Sequence, residues 1–410
     1  MGTMLAGSPS LWIDEARALL PSWPACASGE VKCEVLVVGA GIAGCATAFF
    51  LQRLGVDVVV VDGHGPGLCA SGRNAGFLLL CNVADYPRVR EHAGPRAALG
   101  LLSLGRRNHE LVRDHFAAEC DYERSGSWML ADAGDPEAAA ELVSAQQALA
   151  EDGVACELRT VDHQLAGFAR VGVCVPEDGQ VHPVKLVAAL ARRLDRGHAG
   201  HAIDVLDLAG NVARAGKTRI RFDHVVVASN AYAPRLVPEL SGMIVCHRGQ
   251  MLATEPIVPR ILQPVVYAGR GYDYFRQRSD GVVLVGGRRH LHGPAEATDV
   301  SEPSEVVQAA LERYARERLP FARSAKITHR WAGIMGFTAS GLPLVRTAIA
   351  GRGGTLTVLA GFSGHGMGMA IACGELVAAK LAGSPTDEQR RWAALLEQPS
   401  LETGARQPAR

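Results

Sequence analysis

Gly39-Ala40-Gly41-Ile42-Ala43-Gly44 has the plainest chemical reading in the sequence. Glycines at this spacing permit a tight turn, leave room for a pyrophosphate against the backbone and let a following helix pack closely. The N–H groups of Ile42, Ala43 and Gly44 would open that helix, where unpaired donors and the positive end of the dipole favour phosphate. Asp62 follows Gly44 by 18 residues, placed to accept from ribose hydroxyls. Capture of a dinucleotide is the chemistry this spacing supports. In Tyr272-Asp273-Tyr274-Phe275-Arg276, strand alternation puts Tyr272, Tyr274 and Arg276 on one face. That face is either a pocket wall or an ordinary half-exposed sheet face. A third chemically capable stretch is Gly361-Phe362-Ser363-Gly364-His365-Gly366-Met367. It is no hydrolase elbow, because His365 stands where the last glycine of G-x-S-x-G is needed.

Such residues need elements to hold them. Cys33 to Val38 reads as a buried strand, Ile42 to Leu54 as a helix and Val56 to Val61 as a second strand, together a βαβ unit. The uncharged run Val35 to Gln52 nears membrane-spanning length, but Gly39, Gly41 and Gly44 interrupt it, so it reads as buried strand and helix. Helical patterns cover Pro87 to Ala118 and Pro136 to Glu151, with a short strand from Ser127 to Ala131 between them. A helix is expected from Val184 to Leu194, and Arg219 to Ala228 alternates before ending in a buried apolar run. Met243 to Arg289 is β-rich, with strands Gly271 to Arg278 and Val282 to Gly286 joined by Ser279-Asp280-Gly281. Beyond it come a helix from Ser304 to Leu319, a strand from Thr355 to Ala360, a glycine-rich turn and a helix from Met367 to Leu381. The tail after Glu397 reads as disordered.

At 410 residues the chain exceeds one ordinary core, and two domains are expected. The balance of 42 Lys+Arg against 42 Asp+Glu gives no field for drawing in nucleic acid or anionic lipid, so neither partner is expected. The ten cysteines form no CxxC pair and read as reduced thiols. Asp14, Glu15 and Arg17 break the N-terminal apolar residues, unlike a signal peptide, and a cytoplasmic protein is the expectation. His290 and His292 share a strand face but lack a carboxylate or cysteine partner, so no metal site is expected.

The fingerprint lies near the N-terminus, and Cys69-Ala70-Ser71-Gly72-Arg73-Asn74-Ala75-Gly76 follows it, a polar loop suited to tracking an extended cofactor past its pyrophosphate. An NAD domain would continue with another βα unit, so FAD is expected. Together with Val225-Val226-Val227-Ala228-Ser229-Asn230-Ala231, Trp331-Ala332-Gly333-Ile334-Met335-Gly336-Phe337-Thr338 and the Gly361 to Met367 stretch, these motifs resemble the D-amino-acid-oxidase-like family of FAD enzymes over nearly the whole chain. The resemblance implies an α/β fold: a Rossmann-like FAD-binding domain interleaved with an antiparallel β-sheet plus helices that form a substrate domain. The FAD-binding part is expected at 30–90, 176–240 and 329–398, the substrate part at 91–175 and 241–328, with an extension at 1–29 and a tail at 399–410. Cofactor contacts are expected from Gly39, Gly41, Ile42, Ala43, Gly44, Asp62, Ser71, Arg73, Asn74, Ala75, Ser229, Asn230, Gly333, Gly361, Gly364, His365, Gly366 and Met367. For Ser229 and Asn230 an ordinary strand-end turn is the alternative. The resemblance further implies that the Gly361–Gly366 end faces the flavin pyrimidine, where a helix N-terminus would stabilise the charge of the reduced ring.

Departures from the family pattern bear on substrate. Members that oxidise α-amino acids often carry a substrate-binding arginine where this chain has Met335, and sarcosine-oxidase-like members a lysine where it has Gly368. Phe77-Leu78-Leu79-Leu80 is apolar where a second arginine might lie. An amine whose reacting carbon bears no carboxylate therefore fits best, with Arg276, Arg288 or Arg289 as substitute anchors. The cysteine that binds flavin covalently in sarcosine-oxidase relatives also corresponds to Met335, so noncovalent FAD is expected. The lysine those oxidases use toward oxygen falls near Leu284, which leaves the electron acceptor open between O2 and another. The expected reaction is oxidation of the C–N bond of a small amine or amino-acid-like substrate by hydride transfer to flavin N5, giving an imine that hydrolyses, with Tyr272, Tyr274, Arg276 and His365 as the candidate catalytic-site residues. A hydroxy-acid dehydrogenase and a noncatalytic flavoprotein are the alternatives.

Overall fold

A computed structural model describes residues 9–26, 28–161, 165, 167–350 and 353–397; the expected disordered tail lies outside them. The βαβ reading corresponds to the strand Val35–Val38, the helix Ile42–Arg53 and the strand Val58–Asp62. Both strands are continuous apolar runs because they sit inside a six-stranded sheet whose faces are covered. Its order is Leu344–Ala350, Gly354–Ala360, His224–Val227, Val35–Val38, Val58–Asp62, Gly197–Ala199, parallel except at the Leu344–Ala350 edge. The helices Ile42–Arg53, Pro183–Ala191 and Ala370–Leu381 bury one face of it.

Parallel neighbours end together. The pairings Val227↔Val38 and Val227↔Val358 bring the carboxyl ends of three strands side by side. The glycine fingerprint, Ser229-Asn230 and the Gly361–Gly366 turn leave from those ends, so three motifs far apart in sequence share one edge.

An eight-stranded sheet carries the β-rich part, in the order Ile327–Phe337, Val245–Pro256, Val282–Gly287, Asp273–Gln277, Val265–Ala268, Ser127–Met129, Val171–Val175, Glu157–Thr160. Its pairs are antiparallel apart from Val265–Ala268 beside Ser127–Met129. The helix Glu305–Arg318, capped by Ser304 accepting from the Val307 N–H, packs on one face.

Several expectations shift. Pro87 to Ala118 divides into Tyr86–Ala93 and Pro95–Phe116, because Gly94 takes φ 85° and Pro95 cannot continue a helical ladder. Arg219 to Ala228 divides between two sheets. Thr218–Arg221 joins a four-stranded sheet with Gly29–Lys32, Val212–Ala215 and Val205–Asp207, and His224–Val227 enters the six-stranded one. The strand supposed to carry His290 and His292 stops at Gly287; Arg288 is left-handed at φ 60° and Arg289–His292 forms a 3-10 turn, so the two histidines share no strand face. The helix expected from Met367 begins at Ala370, three residues later, after a 3-10 turn at Gly366–Gly368, and a further helix, Asp387–Glu397, follows it.

Candidate active site

The glycine turn is shaped by what a side chain would strike. Gly39 has φ 111°, and a Cβ there would lie 2.7 Å from the Ala228 carbonyl oxygen. A Cβ on Gly44 would overlap the carbonyl oxygen of Gly39. The fingerprint thus locks its own helix to its own turn and to the next strand. Ser71 Oγ accepts from the Ile42 N–H at 2.9 Å, while Ala43 and Gly44 belong to the first turn and have no intrahelical acceptor. Asp62 accepts from the Ala40 N–H at 2.8 Å through one oxygen and from His64 and Gly65 N–H at 2.8 and 2.9 Å through the other. A carboxylate offers about four acceptor positions, so one remains for a hydroxyl.

The loop after the second strand is held from all sides. Asn74 ties it internally, donating to Ala70 and Ser71 carbonyls and accepting from Gly76 N–H. Arg73 is buried, donating to the Leu68 carbonyl at 3.1 Å and the Ala332 carbonyl at 3.0 Å, and its own carbonyl accepts from Trp331 Nε1. Gly333 faces Arg73, where a Cβ would come within 2.9 Å of the arginine Cβ. Ala75 offers its carbonyl to Arg276. From the N-terminal helix Leu11–Ala16, Trp12 Nε1 donates to the Asn74 carbonyl at 2.7 Å, and Ser10 Oγ to the Gly72 carbonyl at 2.5 Å. This support was missed in the sequence; its one visible signal is the Leu11-Trp12-Ile13 cluster.

At the neighbouring strand ends, Asn230 is left-handed at φ 47° and its Oδ1 accepts from Gly361 and Phe362 N–H. Ser363 N–H donates to the Gly336 carbonyl at 2.8 Å, latching the C-terminal turn to the end of Ile327–Phe337. Asn108, fully buried on Pro95–Phe116, accepts from Ile371 and Ala372 N–H at 2.9 and 3.3 Å and donates to the Met367 carbonyl at 3.0 Å. It pins the start of the helix Ala370–Leu381. The signal for it was an asparagine on the apolar stripe Leu104, Leu111, Val112, one turn away in each direction.

Gly368 has no room for any side chain, since a Cβ there would overlap the Leu79 carbonyl oxygen. Met335 reaches toward the Gly364 turn, its sulfur 3.6 Å from where a Gly364 Cβ would stand. Half-buried His365 turns its Nδ1 to the Ser363 carbonyl at 3.0 Å, and desolvation pushes its pKa below the usual imidazole value.

The three residues expected on one strand face separate. Tyr272 lies in the turn before the strand Asp273–Gln277, 37% exposed, beside His290 at 4.7 Å between ring centres. Tyr274 is half-buried, 5.6 Å from Tyr267 and 6.2 Å from Phe77 between ring centres, and burial pushes its hydroxyl up to about 12. Arg276 is buried. Its Nη1 donates to the Ala75, Gly76 and Val181 carbonyls at 3.0, 3.2 and 3.1 Å, and burial pulls its pKa down to about 9. Through Nη1 this guanidinium clamps the 70–76 loop, while its Nε is buried without a hydrogen-bond partner among the described residues.

The site fits FAD on its own geometry. The glycine cradle admits phosphate, and Ser229 Oγ is buried beside it without a hydrogen-bond partner among the described residues. No group of three or more His, Cys, Asp or Glu able to hold a metal occurs among the described residues.

A glycine-cradled dinucleotide site on a parallel sheet, facing an antiparallel sheet, defines a flavin-dependent oxidoreductase. Residues 34–380 match the family model described as DAO, FAD dependent oxidoreductase, and the chain belongs to that family. It is 28% identical to γ-glutamylputrescine oxidoreductase of Escherichia coli K12, over 86% of this chain and 84% of the relative. Identity is 26% to the probable oxidoreductase OrdL of Rhizobium meliloti, over 90% and 87%. Among solved structures, L-proline dehydrogenase from P. horikoshii superposes with TM-score 0.73 at 21% identity over 88% of this chain and 96% of that one. Glycine oxidase from Geobacillus kaustophilus gives 0.73 at 22% over 87% and 96%. These structures share the fold. No described helix is long and apolar enough to cross a membrane.

Proposed function

We propose that the protein oxidises the C–N bond of a small amine, with noncovalent FAD held at the Gly39–Gly44 turn and substrate received between that cofactor and the strands around Tyr274. FAD held there would supply the two-electron acceptor; loss of a hydride from the carbon beside the nitrogen would leave an imine, which water would hydrolyse to a carbonyl compound and a smaller amine or ammonia. The observation that carries this reading is the Gly361–Gly366 turn at the carboxyl end of the strand Gly354–Ala360, with the Asn108-pinned helix start behind it; the half-buried aromatic pair Tyr267 and Tyr274 against Phe77 supports it. Met335 in place of a cysteine supports noncovalent attachment.

The chain's residues orient and desolvate. Tyr274, raised to about 12, stays protonated at neutral pH and donates rather than abstracts. His365, depressed by burial, is neutral there and leaves the turn's positive potential to backbone N–H groups. Apolar walls from Phe77 and Met335 lower an amine's pKa, favouring the uncharged form whose lone pair assists loss of the hydrogen. The division into an FAD-binding part at 30–90, 176–240 and 329–398 and a substrate part at 91–175 and 241–328 belongs to this proposal. Product analysis tests it: incubation with a reactive amine should release a carbonyl compound in equal amount to the flavin reduced. Carbonyl release from a hydroxy acid without release of amine or ammonia would favour C–O oxidation instead.

A further inference from the structure

Of the three arginines that could serve the substrate wall, two are occupied. Arg276 is committed to three carbonyls, and Arg288 pairs with Asp273 at 3.0 Å and stacks over Tyr314. Arg289, next in sequence, points elsewhere. Its guanidinium carbon lies 4.8 Å from the centre of the Phe337 ring and 5.3 Å from that of Tyr272, and it makes no hydrogen bond or ion pair among the described residues. Phe337 in turn reaches the flavin-side turn, its Cζ 3.8 Å from where a Gly364 Cβ would stand. The charge of Arg289 is felt at His247, Tyr267, Tyr274, His290 and His365, which places it among the groups of the candidate site.

A half-buried guanidinium cushioned on two rings keeps its planar fork of donors free and oriented. A carboxylate meets that fork with two parallel charge-assisted hydrogen bonds, strengthened by the lowered local dielectric. Positions next to the turn offer no such partner: Met335 is apolar and Gly368 has no room for a side chain. The cation lies instead across the width of the Phe337 ring, beside partly exposed Tyr272.

We infer that the substrate is an amine carrying a carboxylate away from the carbon that is oxidised, an ω-amino acid type of molecule, and that Arg289 is the residue that binds this carboxylate. The inference rests on the amine-oxidation reading. Flavin reduction in the holoenzyme should be followed anaerobically with ω-amino acids, with alkylamines of matching length and with α-amino acids. Binding of butanoate, which cannot be oxidised at a C–N bond, should be read separately from the flavin spectrum. The expected result is that ω-amino acids reduce the flavin at the lowest concentrations. Arg289→Met should weaken butanoate binding by about 10- to 100-fold while FAD content stays that of the parent, and Arg289→Lys should restore part of it. Equal reduction by alkylamines, preference for α-amino acids, or unchanged butanoate binding in Arg289→Met would each overturn the inference. Butanoate binding through Arg289 with no reduction by any amine would overturn the amine reading and leave the anion site standing.

Discussion

Gly44 has no room for a side chain, since a Cβ would overlap the carbonyl oxygen of Gly39 in the same turn. Gly44→Ala should therefore open the turn and lower FAD affinity by at least about tenfold, roughly 1.4 kcal/mol, measured by flavin retained after gel filtration. Asp178 makes a different prediction. It is buried, accepts from Leu80 N–H at 2.8 Å and Ser127 Oγ at 2.5 Å, and burial lifts its pKa to about 7. The folded chain keeps the proton where the unfolded chain has already lost it, so this stabilisation is present below the ordinary carboxylate range and lost as pH rises through about 7. Asp178→Asn keeps a carbonyl for Leu80 and should flatten that loss, so its melting temperature should exceed the parent's by clearly more at pH 8 than at pH 5. An equal difference at both would contradict it. Spacing made the fingerprint residues legible, because phosphate geometry demands glycine at fixed intervals. The surroundings of Arg276 were open between pocket wall and sheet face because alternation gives a face and says nothing of what covers it; three backbone carbonyls do.

At the scale of elements, the helix Ala370–Leu381 matters through its first turn. Asn108 fills part of that turn's donor demand, so Asn108→Ala should free the Ile371 and Ala372 N–H groups to exchange with solvent and weaken FAD binding about tenfold. Asn108→Asp retains the acceptor and should retain their protection. Unchanged exchange in the alanine variant would show that the helix start is held by other means. Long apolar or periodic segments were legible: Val35–Val38, Ile42–Arg53, Pro136–Glu151 and Glu305–Arg318 fall where periodicity puts them. What stayed hidden was pairing. The strand Gly29–Lys32 is mostly exposed and carries no apolar pattern, yet it pairs in parallel with Thr218–Arg221. Arg219 to Ala228 likewise looked like one strand because the change of sheet occurs at Phe222-Asp223, with no glycine or proline to mark it.

At the scale of the molecule, two sheets meet through a few specific ties. Trp331 donates to the Arg73 carbonyl, Ser363 N–H to the Gly336 carbonyl, and Arg276 to the loop carbonyls. The strand Ile327–Phe337 thereby reaches from the eight-stranded sheet to the edge that carries the glycine turn. Family membership and fold were legible because the motifs occur in a fixed order along nearly the whole chain. Substrate was less so, because the role proposed for a residue such as Arg289 depends on which charges the fold leaves unpaired. The central claim is a flavin that amines reduce. With purified holoenzyme free of oxygen, an amine substrate should bleach the flavin absorption band near 450 nm within the time of turnover, and hydroxy acids should not. Bleaching by hydroxy acids alone would contradict it, as would a flavin that only chemical reductant can bleach.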